Sequence, residues 1–202
     1  MKLVGSRTSP YVRKVRVLLA EKRLPYEFIE ENAWNPQTTV PRYNPLNKVP
    51  ALVLEDGDSL YDSGVITEYL DGLAGPRFLP PGGAERAKAR RDEALGDGIA
   101  DAGVAIFLER KREPARQDPA WVARQRDKVN AGVAALSRVL AGRPFLGGNE
   151  IGLGDIACGC ALFWIELRLG ADFPWRREHA PLREWAERLE ARPSFAGTRP
   201  PA

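Results

Sequence analysis

Apolar residues recur with two different periods along this chain, and the change of period divides it. Up to about residue 75, short apolar runs of strand length alternate with amphipathic stretches of helix length; from Ala84 onward only the helical period remains. Lys2 to Val4 predicts a first strand. Val12, Val15 and Leu19 then share one helix face, with Ser9 at the N-cap and Pro10 at the first helical position, and this helix is expected to end near Lys22. Pro25 breaks the pattern, and Tyr26 to Glu30 reads as a second strand. Strand, helix and strand over roughly 30 residues make a right-handed βαβ unit with parallel strands. The polar segment Glu31 to Asn47, with prolines at 36, 41 and 45, is too broken for more than one helical turn, and loops of this length often carry function.

A hairpin follows: Ala51 to Glu55, the turn Asp56, Gly57, Asp58, then Ser59 to Tyr61. Pro50 stands just ahead of it, and the sequence leaves the isomer of its peptide bond open. Val65, Ile66, Tyr69, Leu70 and Leu73 form the stripe of a second helix, with Ser63 expected as its cap. The Gly- and Pro-rich stretch 76–83 reads as a linker anchored by Phe78 and Leu79. Beyond it, helices are expected over Ala84 to about Glu113, Pro119 to Ala141, Asp155 to Leu169 and Pro181 to Ala191, with a short tail. Ile156 to Ile165 carries no charge and is apolar on every side, the pattern of a helix buried inside a bundle. Asp155 at its start would be costly to bury alone, so it is expected to accept bonds from backbone N–H groups near the helix entry. The expected organisation is an α/β domain over 1–75, a linker over 76–83 and an all-helical domain over 84–202.

Composition removes several kinds of function. Of 202 residues, 30 are basic and 27 acidic, a net charge of +3, which is not the balance of a nucleic-acid binder. The basic clusters Arg86 to Arg91 and Arg110 to Arg116 are interleaved with acids and read as solvated helix faces. No apolar run reaches the roughly 20 residues of a membrane span, and the N-terminus lacks the apolar core of a signal peptide, so a cytoplasmic protein is expected. Cys158 and Cys160 would point about 200° apart on a helix, which disfavours a mutual disulfide and makes them small buried side chains. A single histidine, His179, is too few for a metal centre or a Ser-His-Asp triad.

The chemistry concentrates at Gly5 to Val15. A strand-to-helix turn capped by Ser9 gathers free backbone N–H groups and the positive end of the helix dipole, which favours an anion such as a thiolate. Ser9 is readable as a cap alone. Thioredoxin-like domains, which the order β, α, β, hairpin, helix resembles, carry a C-x-x-C pair at this turn; here the four residues are Ser9, Pro10, Tyr11 and Val12, and both sulfurs are missing. A turn that lacks its own thiol is suited to a ligand's thiol.

A thioredoxin-like domain, a linker and a helical domain with an apolar central helix resemble the soluble glutathione S-transferases over essentially the whole chain. Three segments in this order carry the resemblance: the Ser9, Pro10 turn with Val12 to Val15; Asn44, Pro45, then Lys48, Val49, Pro50, Ala51, Leu52; and Tyr61, Asp62, Ser63 leading into Ile66, Tyr69 and Leu70. The N-terminal part looks most like bacterial members that use serine rather than tyrosine. The resemblance implies that Ser9 is the catalytic hydroxyl, favoured over the nearby Ser6 and Thr8 because it occupies the cap. It implies a cis peptide before Pro50, with the backbone of Val49 pairing with the cysteinyl part of glutathione. Asp62 and Ser63 would hold the γ-glutamyl group, Lys48 the glycyl carboxylate, and Asn35 or Trp34 would close the site. A second, electrophilic small-molecule substrate is expected in a cleft between the domains near Tyr11, Ile106 and Arg110. A homodimer is expected through the α/β domain of one subunit and the first helices of the other, bringing Asp97 or Asp101 toward the ligand amine. One departure stands out: the buried helix of the family usually starts with Ser or Thr three residues before an aspartate, and here that residue is Gly152. The activity implied is glutathione transfer, with no metal. The alternatives are a glutathione-binding protein with little turnover and a glutathione-dependent thiol oxidoreductase, the latter expected to need a cysteine at position 9.

Overall fold

The computed structural model describes residues 1–201 and divides the chain into two compact units. One comprises Met1–Pro80 with the chain from Ala191 on; the other is Pro81–Glu190. The first unit is built from β1 (Lys2–Gly5), α1 (Pro10–Glu21), β2 (Glu27–Glu30), β3 (Ala51–Val53), β4 (Ser59–Leu60) and α2 (Ser63–Gly72). Its four strands lie in the order β2-β1-β3-β4. β1 runs parallel to β2, with Leu3 opposite Phe28, and antiparallel to β3, with Val4 opposite Ala51. β4 runs antiparallel to β3, hence parallel to β1. The hairpin strands are shorter than the sequence predicts because the acidic Asp56, Gly57, Asp58 turn, with Gly57 at φ +91°, consumes the flanking residues. Val4, Val40 and Ala51 are fully buried on the sheet, and the α/β reading of this unit holds.

This topology decides where chemistry can gather. β1 and β4 end at one edge of the sheet and β3 begins there, so the starts of α1 and α2 and the Val49–Pro50 corner all open on that edge.

The sequence assigns the chain from Ala191 on to the helical domain, whereas it packs on α1. Glu21 on α1 receives a two-point ion pair from Arg192, at 2.7 and 2.8 Å, and the Ser194 hydroxyl at 2.5 Å. Arg13, buried on the same helix, donates to the Phe195 carbonyl at 3.1 Å and lies 5.8 Å from the Phe195 ring. The short helix α8 (Pro193–Ala196) starts with proline at its first position and holds these groups in place; its four residues are too few to show a period in sequence. Burial raises the Glu21 carboxyl, but the bonds from Arg192 and Ser194 outweigh burial, and the net shift is downward. The folded state therefore binds that proton less tightly than the unfolded chain does. This contribution is complete above the ordinary value of 4.5 and is lost as pH falls through the lowered folded value. Arg192→Met should lower stability by about 1.5–3 kcal/mol at neutral pH and remove part of the acid sensitivity below pH 4.5, both measurable by urea unfolding at stepped pH.

The second unit contains α3 (Gly83–Glu109), α4 (Pro119–Leu140), α5 (Leu153–Leu169), α6 (Trp175–Glu178) and α7 (Ala180–Glu190). α3 stops earlier than the expected Glu113, since Pro114 has no N–H for the Arg110 carbonyl four residues before it and its ring would collide with that carbonyl. The carbonyls of Arg110 and Arg112, left open there, are taken by the Gln117 side chain at 3.3 and 2.9 Å. α5 has only Glu166, Leu167 and Arg168 exposed and is the centre of this unit, as its uncharged run predicts. Cys158 and Cys160 are buried on it and are not joined in a disulfide. Asp155, with 0% exposure, accepts from the backbone N–H of Leu146 at 2.9 Å and of Gly152 at 2.9 Å, and from the Trp185 indole at 2.8 Å. Asp155 so supplies the bonding that Gly152, which has no side-chain oxygen, does not. Among the described residues no helix is long and apolar enough to cross a membrane.

Candidate functional site

At the sheet edge the first turn of α1 is capped as the sequence predicts. The Ser9 backbone is extended, at φ −78° and ψ 129°, and its Oγ accepts from the Val12 N–H at 3.3 Å. That bond uses a lone pair and leaves the hydroxyl proton uncommitted among the described residues. Ser6 and Thr8, the neighbouring hydroxyls, are turned toward each other at 3.0 Å. The turn is fixed on its outer side by Arg7, whose backbone N–H and Nε reach the Glu30 carboxylate at 3.0 and 2.9 Å. Tyr11 follows, half-buried on the first turn of the helix.

The second helix start differs by one residue from expectation. Asp62, not Ser63, is the cap: its Oδ1 accepts from Gly64 N–H at 2.9 Å and Val65 N–H at 3.4 Å. A carboxylate is as good an N-cap as a hydroxyl, so two adjacent candidates leave the choice to tertiary context. Ser63 falls at the first helical position and is only 5% exposed, yet its hydroxyl has no protein partner among the described residues. The second carboxylate oxygen of Asp62 is likewise unengaged among them.

Between the two helix starts lies the corner before β3. The Val49–Pro50 peptide is cis, as the resemblance implies, and the Tyr61–Asp62 peptide is also cis. Pro50 is buried and Val49 half-buried. Neither backbone group of Val49 has a hydrogen-bond partner among the described residues. Lys48 is exposed beside it.

The preceding loop is not slack. The Glu31 carboxylate takes the hydroxyls of Thr38, at 3.0 Å, and of Thr39, in a short bond, together with the Thr39 N–H at 3.4 Å. The Thr39 bond leads the influences that hold the Glu31 carboxyl below its ordinary value. Asn35 is exposed and its Oδ1 closes a local turn with the Gln37 N–H at 3.0 Å, while Trp34 is 74% exposed. Asn44 and Glu31 receive no role from the sequence. The signal for both is present as oxygen-bearing side chains spaced to bond their own loop, but which backbone groups they meet is a tertiary matter.

Two residues of the second-substrate set do not offer a free side chain. Ile106 is fully buried, since its place on α3 falls on the helix's inward stripe, and it presents nothing to a substrate. Arg110 is bound to Asp172 within the helical unit.

The chain is similar along its length to proteins of one family. The family model described as "Glutathione S-transferase, N-terminal domain" matches residues 8–73, and that described as "Glutathione S-transferase, C-terminal domain" matches residues 119–188. The uncharacterized GST-like protein YibF of Escherichia coli (strain K12) is 40% identical over 202 residues, covering 100% of this chain and 99% of that protein. The solved glutathione S-transferase of Methylobacterium radiotolerans, in complex with glutathione sulfonate, has TM-score 0.94 at 44% identity, covering 100% of this chain and 95% of that one. That of Methylobacillus flagellatus, with GSH bound, has TM-score 0.95 at 39% identity, covering 99% of each. On these matches along its full length, the chain belongs to the glutathione S-transferase family.

Proposed function

We propose that this chain binds glutathione at the sheet edge and transfers it to an electrophilic small molecule. One observation carries the reading: Ser9 accepts the Val12 N–H and keeps its own proton for an incoming acceptor, at the positive end of α1. A sulfur placed there would receive that hydrogen bond as an anion. The ordinary thiol value of about 8.5 leaves most of it protonated at neutral pH, and each unit of lowering is worth about 1.4 kcal/mol. The thiolate then attacks an electrophilic carbon, with proximity supplying much of the acceleration. The sulfur–carbon bond forms as the leaving group departs with its electron pair, or as a conjugate acceptor takes up a proton; no intermediate on the protein is needed.

The remaining groups fit the rest of the tripeptide. The unpaired N–H and C=O of Val49 suit the cysteinyl main chain. Ser63 and the unengaged oxygen of Asp62 suit the γ-glutamyl carboxylate and ammonium. Lys48 suits the glycyl carboxylate, and Asn35 the rim of the loop. The solved relatives that carry glutathione or its sulfonate support this choice of ligand. For the electrophile, Tyr11 on the first turn of α1 is the side chain we assign. The homodimer is carried by the family resemblance alone. Disulfide exchange is disfavoured by serine at position 9 and by burial of both cysteines on α5.

Ser9→Ala tests the assignment. Glutathione affinity by calorimetry should change by less than about threefold, while the pH at which thiolate absorbance appears should rise by about one unit or more. An unchanged absorbance titration rejects Ser9 as the activating group. Turnover of a panel of electrophiles by the wild type, set against its glutathione affinity, separates a transferase from a binder without turnover.

A further inference from the structure

Asn44 is 2% exposed, and every polar group it has points into one short turn. Its Nδ2 donates to the Lys48 carbonyl at 2.9 Å, and its Oδ1 accepts from the Leu46 N–H at 3.0 Å. Its backbone N–H reaches the Val40 carbonyl at 2.9 Å, and its own carbonyl accepts from the Asn47 N–H at 2.9 Å. Asn47, at φ +52°, then donates from Nδ2 to the Ala33 carbonyl at 3.1 Å, which joins this turn to the segment that carries Trp34 and Asn35. The Lys48 carbonyl belongs to the peptide that Lys48 shares with Val49, so the plane of that peptide is set by the Asn44 amide. That plane fixes where the Val49 N–H points.

We propose that Asn44 is a positioning residue of the ligand site: it holds the Lys48–Val49 peptide in the one orientation that offers the Val49 backbone to a peptide ligand. The inference rests on the glutathione reading above. Only asparagine meets the requirement at this length. Aspartate would set a carboxylate oxygen against the Lys48 carbonyl, serine is too short to span both partners, and glutamine is a methylene too long. The cost of losing the bond falls on binding, because the unliganded turn must then be ordered by the ligand itself. Ser9 and the start of α1 lie outside the turn, so activation of the sulfur is independent of Asn44.

The experiment pairs calorimetric titration of reduced glutathione into the full chain with ultraviolet titration of the bound thiolate at saturating ligand, for wild type, Asn44→Asp and Asn44→Ser. The expected result is an affinity about tenfold weaker in the variants, the upper end for one net hydrogen bond, with the thiolate titration where the wild type has it. An affinity within about twofold of wild type in a folded variant overturns the inference. So does a weaker affinity accompanied by a matching displacement of the thiolate titration, which marks general loosening of the unit. Failure of both variants to fold overturns it as well, since Asn44 would then serve the fold rather than the site. Absence of glutathione uptake by the wild type removes the underlying reading, a result distinct from variants that bind as well as the wild type does.

Discussion

Asp155→Ala is expected to destabilise the protein by about 3–5 kcal/mol, a large fraction of the total stability of an ordinary domain. Three donors converge on this one carboxylate: the Leu146 N–H, the Gly152 N–H and the Trp185 indole. Removing it orphans all three at a fully buried position, and each orphaned donor costs about 1–3 kcal/mol. The losses are not additive, because the 146–152 segment will relax toward solvent, and so the sum stays below the simple total. Asp155→Asn keeps one oxygen and turns an NH2 group toward a donor, so about half the loss is expected from it. Burial pushes the Asp155 carboxyl up, against the three bonds that pull it down. An acid with a raised folded value contributes stability that is complete below its unfolded value of 3.8 and is lost as pH rises through the folded value. That is the reverse of Glu21. Urea unfolding monitored by far-ultraviolet circular dichroism measures the effect, and a loss under about 1 kcal/mol for the alanine variant would show that the site rearranges to satisfy its donors.

Gly96→Ala should cost about 3 kcal/mol, the upper end for overpacking. A Cβ built at Gly96 lies 2.5 Å from the Cys158 nitrogen and 2.6 Å from the Ala157 carbonyl carbon. Both are main-chain atoms of α5, and the Cys158 thiol already meets the Asp92 carbonyl at 3.4 Å, so the two helices have no slack at this crossing. In isolation alanine would favour the helix by about 1 kcal/mol, and packing must overcome that gain. Gly98→Ala is the internal control: beyond its chain neighbours and the backbone of its own helix turns, nothing among the described residues lies within 4 Å of its Cβ, and there the same substitution should stabilise by up to about 1 kcal/mol. Thermal unfolding of the two variants side by side is sufficient. If both shift in the same direction, close approach of α3 and α5 is not what Gly96 serves.

Elements are legible in the sequence where a period runs long enough to repeat. The 3.6-residue stripe of Val12, Val15 and Leu19, the uncharged run of α5 and the cap at Ser9 all stand where expected, because each is set by residues adjacent in the chain. Asp155 is readable as a carboxylate in need of backbone donors, but its Trp185 partner lies 30 positions away and leaves no mark on the local pattern. The choice between Asp62 and Ser63 as cap is ambiguous for a different reason, since both are competent and only packing decides. Ile106 shows the limit of the resemblance: it is expected near the second substrate, whereas the helix turns it inward. The open Val49 backbone is legible only through the family resemblance, and the Asn44 bond to Lys48 is invisible in sequence, because a backbone group announces its partner only in three dimensions.

The return of the segment after Glu190 to α1 affects how this protein is made. A ribosome emits the first eighty residues of the α/β unit early, but the cation for Glu21 and the carbonyl for Arg13 are encoded more than 170 positions later. A chain that ends at Glu190 thus contains every residue of its helical unit, while its α/β unit still lacks a closing segment. The unit begun first is therefore locked last, and a truncation ahead of Arg192 would injure the oldest part of the chain rather than the newest.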